Sequence, residues 1–481
     1  MSISVVDSDI RLLQQRTRMP FRYGIATMTE FPLLFLNLAV EIDGTRIWGV
    51  SSDLLPPKWF TKIPEKAPSR EINEMLEVIE SAVGLALGRQ HASVFDLWLG
   101  LYTAQEQFAS NHEIPPLLAH FGTSLVERAV IDAYCRHRSR SFASLVQSGC
   151  FGIDLGRINE ELDRCCPADL LPSKPLSRVI ARHTVGLGDP LTPQEIPSDE
   201  RVNDGLPQAL SECIHGYHLR HFKIKISGDL DLDLPRLTAL FEVIEKAEIS
   251  GTAFTFDANE QFVSMNAFQR YWEALGSAAW FPSFFKRLLF VEQPLHRDVA
   301  LSCRVPGKEE IRLPWPRFII DESDATLDSL PRALALGYHG TSHKNCKGVF
   351  KGIANRCLIE KRRRDDPASD LLMSGEDLCN QGPVGLLQDL AVMACLGIES
   401  VERNGHHYCR GLSVAAPETQ ERVFREHSDL YEQTAEEWLT LRIRHGALRL
   451  ESVNEAPFGY GFELPRASYP TLAQWRQGRE V

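Results

Sequence analysis

The stretch HFKIKIS, residues 221–227, is typical of a short buried strand in which apolar residues alternate with Lys223 and Lys225. Successive side chains of a strand point to opposite faces, so both lysines lie on one face and the phenylalanine and isoleucines on the other. Solvent is the simplest destination for two ammonium groups, because lysine is almost always exposed unless it is paired. The segments that surround this strand favour a different destination.

Short apolar segments of the same kind recur along the second half of the chain, and most of them are separated by segments with helical periodicity. The predicted strands are VIARHTVGL (179–187), HFKIKIS (221–227), AFTFDAN (253–259), LLFVEQP (288–294), RFIIDES (317–323), GTSHKN (340–345), LLMSGED (371–377) and ESVERNG (399–405). Eight strands in alternation with helices predict an α/β protein, a (β/α)8 barrel of the TIM type. An open doubly wound sheet stays possible, although no glycine-rich phosphate loop follows the first strand.

Residues 1–170 have a different pattern, which predicts a separate α+β domain with its own core. The apolar segment PLLFLNLAVEI is followed by Asp43 and Gly44, a dipeptide typical of a two-residue hairpin turn. Further along, INEMLEVIESAVGLALG and SLVERAVIDAYCRH carry apolar residues at helical spacing.

The barrel is expected over residues 171–410, and residues 411–481 then form a tail that packs back on the N-terminal domain. Within that tail, EQTAEEWLTLRI (432–443) is predicted to be a helix, and ALRLESVNEAPFGYGFEL (447–464) is predicted to be extended.

The composition is that of an ordinary globular protein, with 481 residues, 43% hydrophobic and 24% charged. A formal net charge of −12 gives no general attraction for nucleic acid or for an anionic membrane. We interpret the basic run 361–364 as a solvated helix end or loop, and a phosphate-binding patch is the less favoured alternative. The 11 cysteines are scattered without metal-binding spacing, which favours a reducing compartment. With neither a signal peptide nor an apolar run of about 18 residues, a cytoplasmic protein without a membrane span is expected.

Charged residues stand at the ends of five consecutive predicted strands, the second to the sixth. They are Lys223, Lys225, Asp257, Glu292, Asp321 and Lys344. From Lys225 onward, each residue of this set is separated from the next by about the length of one βα unit. Charges scattered over a surface would not recur in this way. Catalytic groups of a (β/α)8 barrel come from the C-terminal ends of several strands, so these residues are predicted to meet at one mouth of the barrel.

The chemistry of this set follows from the residue types. Three carboxylates on adjacent strands suit a hard divalent cation such as Mg²⁺, and the absence of cysteine and histidine from those positions argues against zinc. Lys223 is a like charge two residues from Lys225 and is expected to lower the pKa of Lys225, which makes Lys225 a better base. A metal with one lysine on each side, Lys225 and Lys344, suits removal of a proton next to a carboxylate.

The ordered motifs KIK, DAN, EQP, DES and a sixth-strand lysine resemble those of the enolase superfamily. Within it they look like the muconate lactonizing enzyme and mandelate racemase group. The resemblance covers nearly the whole chain, and PFRYG near residue 20 is similar to the start of the family's capping domain. It therefore implies a modified TIM barrel with an N-terminal α+β capping domain that the C-terminal tail completes.

The resemblance also implies roles for individual residues. Asp257, Glu292 and Asp321 would bind Mg²⁺. Lys225 and Lys344 would form the acid/base pair, supported by Lys223, and Asn259 would help to hold the metal site or the substrate. Lys344 is chosen over Lys347 because KNCKG is similar to the family's Lys-x-x-Lys-x-Gly stretch; Lys347 and Lys351 are interpreted as helix surface.

Several features depart from the family pattern. Extra length lies near 300–316, near 361–370 and in the tail. The eighth strand ends in NGHHYCRGLS, where His406, His407 and Tyr408 are predicted to contact substrate, although a packed strand end is an equal alternative. Substrate choice is expected to lie in the capping loops. Residues considered for that role there are Tyr23, Met28, Thr29, Trp59 and Phe60.

The sequence thus predicts a Mg²⁺-dependent isomerase or lyase that acts on a small-molecule carboxylate, with racemisation or epimerisation, dehydration and cycloisomerisation all open. A homo-oligomer is possible. The alternative is a barrel that binds a metal and a ligand without turnover. A metal-dependent amidohydrolase is less favoured, because the first strand has only His183 and no His-x-His pair.

Overall fold

The computed structural model describes residues 1–307, 310–311 and 313–478. The chain begins with a four-stranded antiparallel sheet in the order β3-β2-β1-β4. Its strands are β1 (Ile3–Tyr23), β2 (Ala26–Ile42), β3 (Thr45–Leu54) and β4 (Gln90–His91). Asp43 and Gly44 connect β2 to β3 with φ of +48° and +81°, the left-handed backbone that a two-residue hairpin turn requires.

Helices cover one face of this sheet and form the core predicted for the N-terminal region. They are α1 (Pro68–Ala86), α2 (Val94–Asn111), α3 (Pro116–Arg138), α4 (Phe142–Gln147) and α5 (Pro167–Leu170). The sheet approaches α3 so closely at Gly49 that a Cβ atom there would lie 2.0 Å from the carbonyl oxygen of Ala129. Glycine is therefore needed at this position for close packing.

Eight parallel strands follow and close into a barrel, as the sequence predicted. The strands are β5 (Arg178–Val185), β6 (His221–Lys225), β7 (Ala253–Asp257), β8 (Leu288–Glu292), β9 (Phe318–Ile320), β10 (Gly340–His343), β11 (Leu372–Gly375) and β12 (Ser400–Arg403). The barrel closes where β12 pairs with β5, with Ser400 opposite Ile180. The open doubly wound sheet is thereby excluded.

Helices run between the barrel strands and cover the outside of the barrel. They are α6 (Leu210–Tyr217), α7 (Leu230–Lys246), α8 (Met265–Leu275), α9 (Phe281–Phe285), α10 (Arg297–Ala300), α11 (Ser329–Ala335), α12 (Val349–Asp365), α13 (Gly385–Leu396) and α14 (Gly405–Tyr408). The basic run 361–364 lies at the end of α12, where Lys361 pairs with Asp365 at 2.6 Å. Of the extra length near 300–316, residues 308, 309 and 312 lie outside the described part. Among the helices that the structure describes, none combines the length and apolar character needed to span a bilayer.

The tail differs from the prediction in its secondary structure. Its elements are α15 (Pro417–Glu426), β13 (Tyr431–Gln433), β14 (Leu439–Leu441), β15 (Ala447–Arg449), α16 (Glu451–Glu455) and α17 (Leu472–Gln477). The helix predicted over 432–443 is wrong, because β13 and β14 form an antiparallel hairpin there. Leu439, Leu441 and Ile443 recur at period two and are buried, so tertiary packing overrides the helix-favouring Ala and Glu.

The segment predicted to be extended, 447–464, contains the short helix α16, and only its first residues form a strand. That strand, β15, pairs antiparallel with the start of β5. Further on, the tail reaches the N-terminal sheet, where the amide of Leu12 donates to the carbonyl of Pro470 at 3.0 Å. The tail thus contacts both the barrel and the sheet.

Candidate active site

The charged residues predicted from the strand ends meet inside the C-terminal mouth of the barrel. The register of the parallel strands puts Lys225 of β6, Asp257 of β7 and Glu292 of β8 at one level. Asp321 and Lys344 follow directly after β9 and β10. All five side chains are buried, so their charges face one another inside the protein and not the solvent.

Lys223 lies deepest and is enclosed by carboxylates. Its Nζ is 3.0 Å from Asp257, 2.7 Å from Glu292, 2.7 Å from Glu376 and 3.0 Å from Glu402. Burial alone would lower the pKa of Lys223, but these four carboxylates hold the pKa well above its ordinary value. Lys223 is therefore a charged ammonium whose charge is balanced by carboxylates and which ties strand ends together. Its expected effect on Lys225 stays a prediction.

Lys225 and Lys344 approach the carboxylates from two sides. Nζ of Lys225 donates to Asp257 at 2.5 Å and to the side-chain oxygen of Asn259 at 2.8 Å. Nζ of Lys344 donates to Asp321 at 2.5 Å and lies 5.3 Å from the ring centre of Trp59. Burial opposes the charge of Lys344, but Asp321 and Glu292 outweigh it and raise its pKa.

Two further lysines, interpreted from the sequence as helix surface, are buried instead. Nζ of Lys347 lies 3.1 Å from Asp321 and donates to the carbonyl of Ser342 at 2.6 Å. Lys351 pairs with Asp324 at 2.8 Å. Lys347 lies in the turn before α12 and Lys351 in the first turn of α12. Both pack against the barrel mouth, where aspartates compensate the charges.

The predicted metal ligands differ in their electrostatics. Burial would raise the pKa of Asp257 and of Asp321, yet the neighbouring lysines hold both below the ordinary value. Glu292 is fully buried, and burial together with Asp257 and Glu376 raises its pKa well above normal. Asp257 and Asp321 are therefore carboxylates, while at Glu292 burial and the neighbouring carboxylates outweigh Lys223.

Glu292 also supplies the test of whether a cation fits. Neither of its oxygens makes a hydrogen bond of acceptable geometry within the described residues, although Nζ of Lys223 lies 2.7 Å from Oε2. A buried acid without hydrogen-bond donors is stabilised by a cation. With Asp257 and Asp321 beside it, the oxygen-only donor set fits a hard divalent ion such as Mg²⁺.

Glu376 and Glu402 were missed from the sequence although the same rule finds them. They follow or end β11 and β12, in phase with the charged ends of the earlier strands. Glu376 also accepts from Arg182 of β5, and Thr184 donates to Glu402 at 2.6 Å. Burial would raise the pKa of Glu402, but Lys223 and Lys225 hold it well below normal. The interior is thus a ring of compensating charges contributed by most of the strands.

A cavity opens above these charges and is roofed by the N-terminal sheet. Its polar floor includes Lys225, Asp257, Asn259, Asp321 and Lys344, and its apolar roof includes Phe21, Tyr23, Met28 and Trp59. Of the capping-loop residues considered above, Thr29 and Phe60 do not line it. Asn259 connects Lys225 to Glu322, since its side-chain oxygen accepts from Lys225 and its amide nitrogen donates to Glu322 at 3.2 Å.

His406, His407 and Tyr408 lie in α14, behind the cavity wall and not in its lining. Tyr408 donates to Asp189 at 2.5 Å and its ring stacks on Phe21 at 4.0 Å. Their predicted contact with substrate stays a prediction, and any effect of this group on the cavity passes through Phe21.

Comparison with known proteins was informative only at the level of structure. No family model and no curated protein sequence matches the chain. A mandelate racemase/muconate lactonizing protein from Herpetosiphon aurantiacus matches with a TM-score of 0.60 at 14% identity, covering 96% of this chain and 99% of that one. The chain has the fold of the enolase superfamily. A muconate lactonizing enzyme from Pseudomonas fluorescens, complexed with muconolactone, gives 0.60 at 14% identity and covers 97% and 98% of the two chains.

A third enolase-superfamily structure has the same fold with an ion in place. An enolase from Bradyrhizobium, complexed with magnesium and mandelic acid, matches with a TM-score of 0.58 at 12% identity. The match covers 98% of this chain and 99% of that one. At these identities the likeness establishes the fold, and the chemistry of this chain has to be argued from its own residues.

Proposed function

We propose that the chain is a Mg²⁺-dependent enzyme of the mandelate racemase and muconate lactonizing enzyme type, which removes the proton next to a substrate carboxylate to give an enediolate. Racemisation or epimerisation, dehydration and cycloisomerisation are the reactions that such a step permits, so the enzyme is an isomerase or a lyase. In this proposal the barrel, residues 171–410, supplies the chemistry. Residues 1–170 form the capping domain, and the tail, 411–481, packs back on that domain.

The observation that carries the proposal is the placement of two lysines around three carboxylates. Lys225 comes from β6 and Lys344 follows β10, and the carboxylates come from the three strands between them. Both Nζ atoms reach the floor of the same cavity. A substrate carbon above that floor would have one ammonium or amine on each side, so that one lysine removes the proton and the other can deliver one.

Asp257, Glu292 and Asp321 are the residues that would hold Mg²⁺. When bound, this ion withdraws charge from the substrate carboxylate and so stabilises the negative charge that develops on proton removal. Magnesium in the solved structures of the enolase from Bradyrhizobium and of a dipeptide epimerase from Enterococcus faecalis supports the choice of ion. Lys223 keeps the carboxylates from repelling one another, which positions them for the ion.

The cavity indicates the class of substrate. Its floor offers ammonium groups to a carboxylate. The roof is aromatic and apolar at Phe21, Tyr23 and Trp59. We infer a small carboxylic acid with an apolar group that points to the capping region. A cytoplasmic location, favoured by eleven free thiols, belongs to the same proposal.

The test is exchange of the α-proton with deuterated solvent, measured by mass spectrometry or NMR across a library of carboxylic acids in the presence of Mg²⁺. We expect exchange with at least one acid, reduced by about 10²–10⁴-fold in Lys225→Ala and in Lys344→Ala. Lys225→Arg and Lys344→Arg are matched variants, which keep the charge but cannot be deprotonated in practice, and we expect them to be as impaired as the alanine variants.

Two results would decide against the proposal. Exchange that is unaffected by both alanine substitutions would remove the lysines from the chemistry. Binding of Mg²⁺ and of an acid without any exchange would favour the alternative, a barrel that binds a metal and a ligand without turnover.

A further inference from the structure

A second group of metal-binding side chains lies on the other side of the barrel wall. His183 of β5, Cys213 of α6 and His407 of α14 each offer one ligand atom, and these atoms all lie within 4.8 Å of one another. All three side chains are buried. The group is separate from the carboxylate floor, because none of the three residues lines the cavity.

Strand alternation explains why the two groups are separate. Arg182 and Thr184 of β5 reach inward to Glu376 and Glu402. His183, between them, must therefore point outward to the helical layer. There α6 contributes Cys213, and the short helix after β12 contributes His407, so three elements that are distant in sequence converge on one point.

The distance between two of the ligand atoms matches that of a coordination sphere. Sγ of Cys213 lies 3.6 Å from Nδ1 of His407. Zinc bonds of about 2.3 Å to sulfur and 2.0–2.1 Å to nitrogen, at a tetrahedral angle, separate the two ligand atoms by about 3.5 Å. The rings of His183 and His407 are 4.8 Å apart between their centres and nearly perpendicular, at 71°.

A third histidine supports the arrangement from outside. Nε2 of His406 lies 3.2 Å from Nδ1 of His183, a contact that fixes the orientation of the His183 ring. Outer contacts of this kind are usual for histidines that bind metal. Nδ1 of His406 is buried and has no hydrogen-bond partner among the described residues, so this polar group is not explained by ordinary packing.

We propose that His183, Cys213 and His407 bind a thiophilic transition-metal ion of the Zn²⁺ class. Two imidazoles and a thiolate are ligands that Mg²⁺ does not favour and that zinc binds readily. All three ligand residues are buried, so the site is closed to solvent. The proposal is independent of the reaction assigned to the carboxylate floor.

The ion would cross-link three elements on the outside of the barrel. It joins β5, α6 and α14, and the next residue of α14 after His407 is Tyr408, whose ring stacks on Phe21 of the cavity roof. Arg18 of β1 also donates to the carbonyl of His407 at 2.7 Å. Metal binding at this point would fix the position of α14, which contacts the end of β1 through both of these interactions.

The test uses the reduced full-length protein, freed of metal by a chelator and then held in excess Mg²⁺ so that the carboxylates are occupied. Co²⁺ is titrated and the absorption spectrum recorded. We expect one ion per chain to produce the near-ultraviolet charge-transfer band of a cobalt–thiolate bond, and one equivalent of Zn²⁺ to remove it. Protein isolated from zinc-supplemented cells is expected to carry about one zinc per chain.

Variants locate the ion. Cys213→Ser is expected to lose the charge-transfer band and at least tenfold of the bound zinc, whereas the matched control Cys395→Ser, another buried cysteine on a helix, keeps both. A band that survives in Cys213→Ser would overturn the proposal. So would a wild-type protein that contains no zinc and gives no band, a result that does not depend on whether any variant folds.

Discussion

Arg182 and His183 are neighbours on one strand, and their side chains lie on opposite sides of the barrel wall, one among charged groups and the other among uncharged groups. Inside the barrel, Arg182 is paired with Glu376, and the nearby Lys223 has four carboxylates around it. Outside, His183 is surrounded by a thiol and two more histidines, and burial lowers its pKa to about 3, so it is neutral. At Arg182 the inner side of the wall keeps charges and compensates them, whereas the group around His183 is neutral when no ion is bound. Other charges buried on the outer side are paired as well, as at Arg18 and Asp204, which lie 2.6 Å apart. The comparison therefore teaches that a buried charge has a partner on either side of the wall.

The most sensitive test of this comparison is to remove the charge of Lys223, at the centre of the barrel interior. Lys223→Met leaves the carboxylates around it without their shared ammonium, and we expect the free energy of unfolding of the metal-free protein to fall by about 3–5 kcal/mol. Chemical denaturation measures it. His183→Leu, which leaves no charge behind, is expected to cost less, about 1–3 kcal/mol.

A matched lysine variant provides the baseline for that measurement. Lys361→Met removes a surface lysine whose pair with Asp365 is one turn along α12, and it is expected to cost about 0.3–0.5 kcal/mol. If Lys223→Met costs no more than Lys361→Met, the interior lysine does not compensate the carboxylates and the contrast between the two faces fails.

The second prediction concerns the cation that the interior is proposed to bind. Mg²⁺ at 100 times its Kd is expected to raise the free energy of unfolding by about 2.7 kcal/mol, because it binds the folded state alone. Glu292→Gln should abolish this stabilisation, since it replaces a predicted ligand. Thermal unfolding with and without Mg²⁺, followed by addition of EDTA, is the measurement.

Glu322→Gln is the control for the magnesium experiment. Glu322 neighbours Asp321, and burial together with that aspartate raises its pKa to about 7, but it does not belong to the predicted ligand set. We expect this variant to keep the response to Mg²⁺. Stabilisation that persists in Glu292→Gln, or that disappears in Glu322→Gln, would mean that the ion is held by other residues.

Most of the barrel and of its polar floor could be predicted because both leave a periodic signal in the sequence. Strand-length apolar runs recur once per βα unit, and the charged residue of each unit stands at its end, as at Asp257 and Glu292. Glu376 and Glu402 carry the same signal and would have been found by following it to the last two strands.

The remaining errors have a common physical cause, which is packing between segments that are distant in sequence. Lys351 belongs to a helix whose surface and buried faces cannot be told apart until the partner is known. His183 meets Cys213 only because a long connection brings α6 back onto β5. The tail hairpin follows the same rule, since the burial of Leu441 and not local propensity decides its conformation.

The last prediction tests, at a site away from the barrel wall, whether burial keeps a histidine uncharged. His120 of α3 is buried and stacks on Tyr102 of α2, with ring centres 3.8 Å apart. Burial, with a smaller contribution from Lys351, lowers its pKa to about 3, whereas the unfolded chain has a pKa of about 6.5. Below about pH 6.5 the unfolded state therefore binds a proton that the folded state does not. The stability due to neutral His120 is complete above that pH and is lost as the pH falls toward 3.

We expect the free energy of unfolding of the wild type to decrease between pH 6 and pH 4 more steeply than that of His120→Phe, by about 1.4 kcal/mol per pH unit. Phenylalanine keeps a ring against Tyr102 but has no proton to bind, so the two slopes differ by the titration of one imidazole. His112→Phe, at an exposed side chain of the same helical region, should leave the wild-type slope unchanged. Equal slopes for the wild type and His120→Phe would show that His120 titrates normally in the folded protein. Burial alone would then not keep this imidazole neutral, and the neutrality of His183 on the outside of the barrel would need another cause.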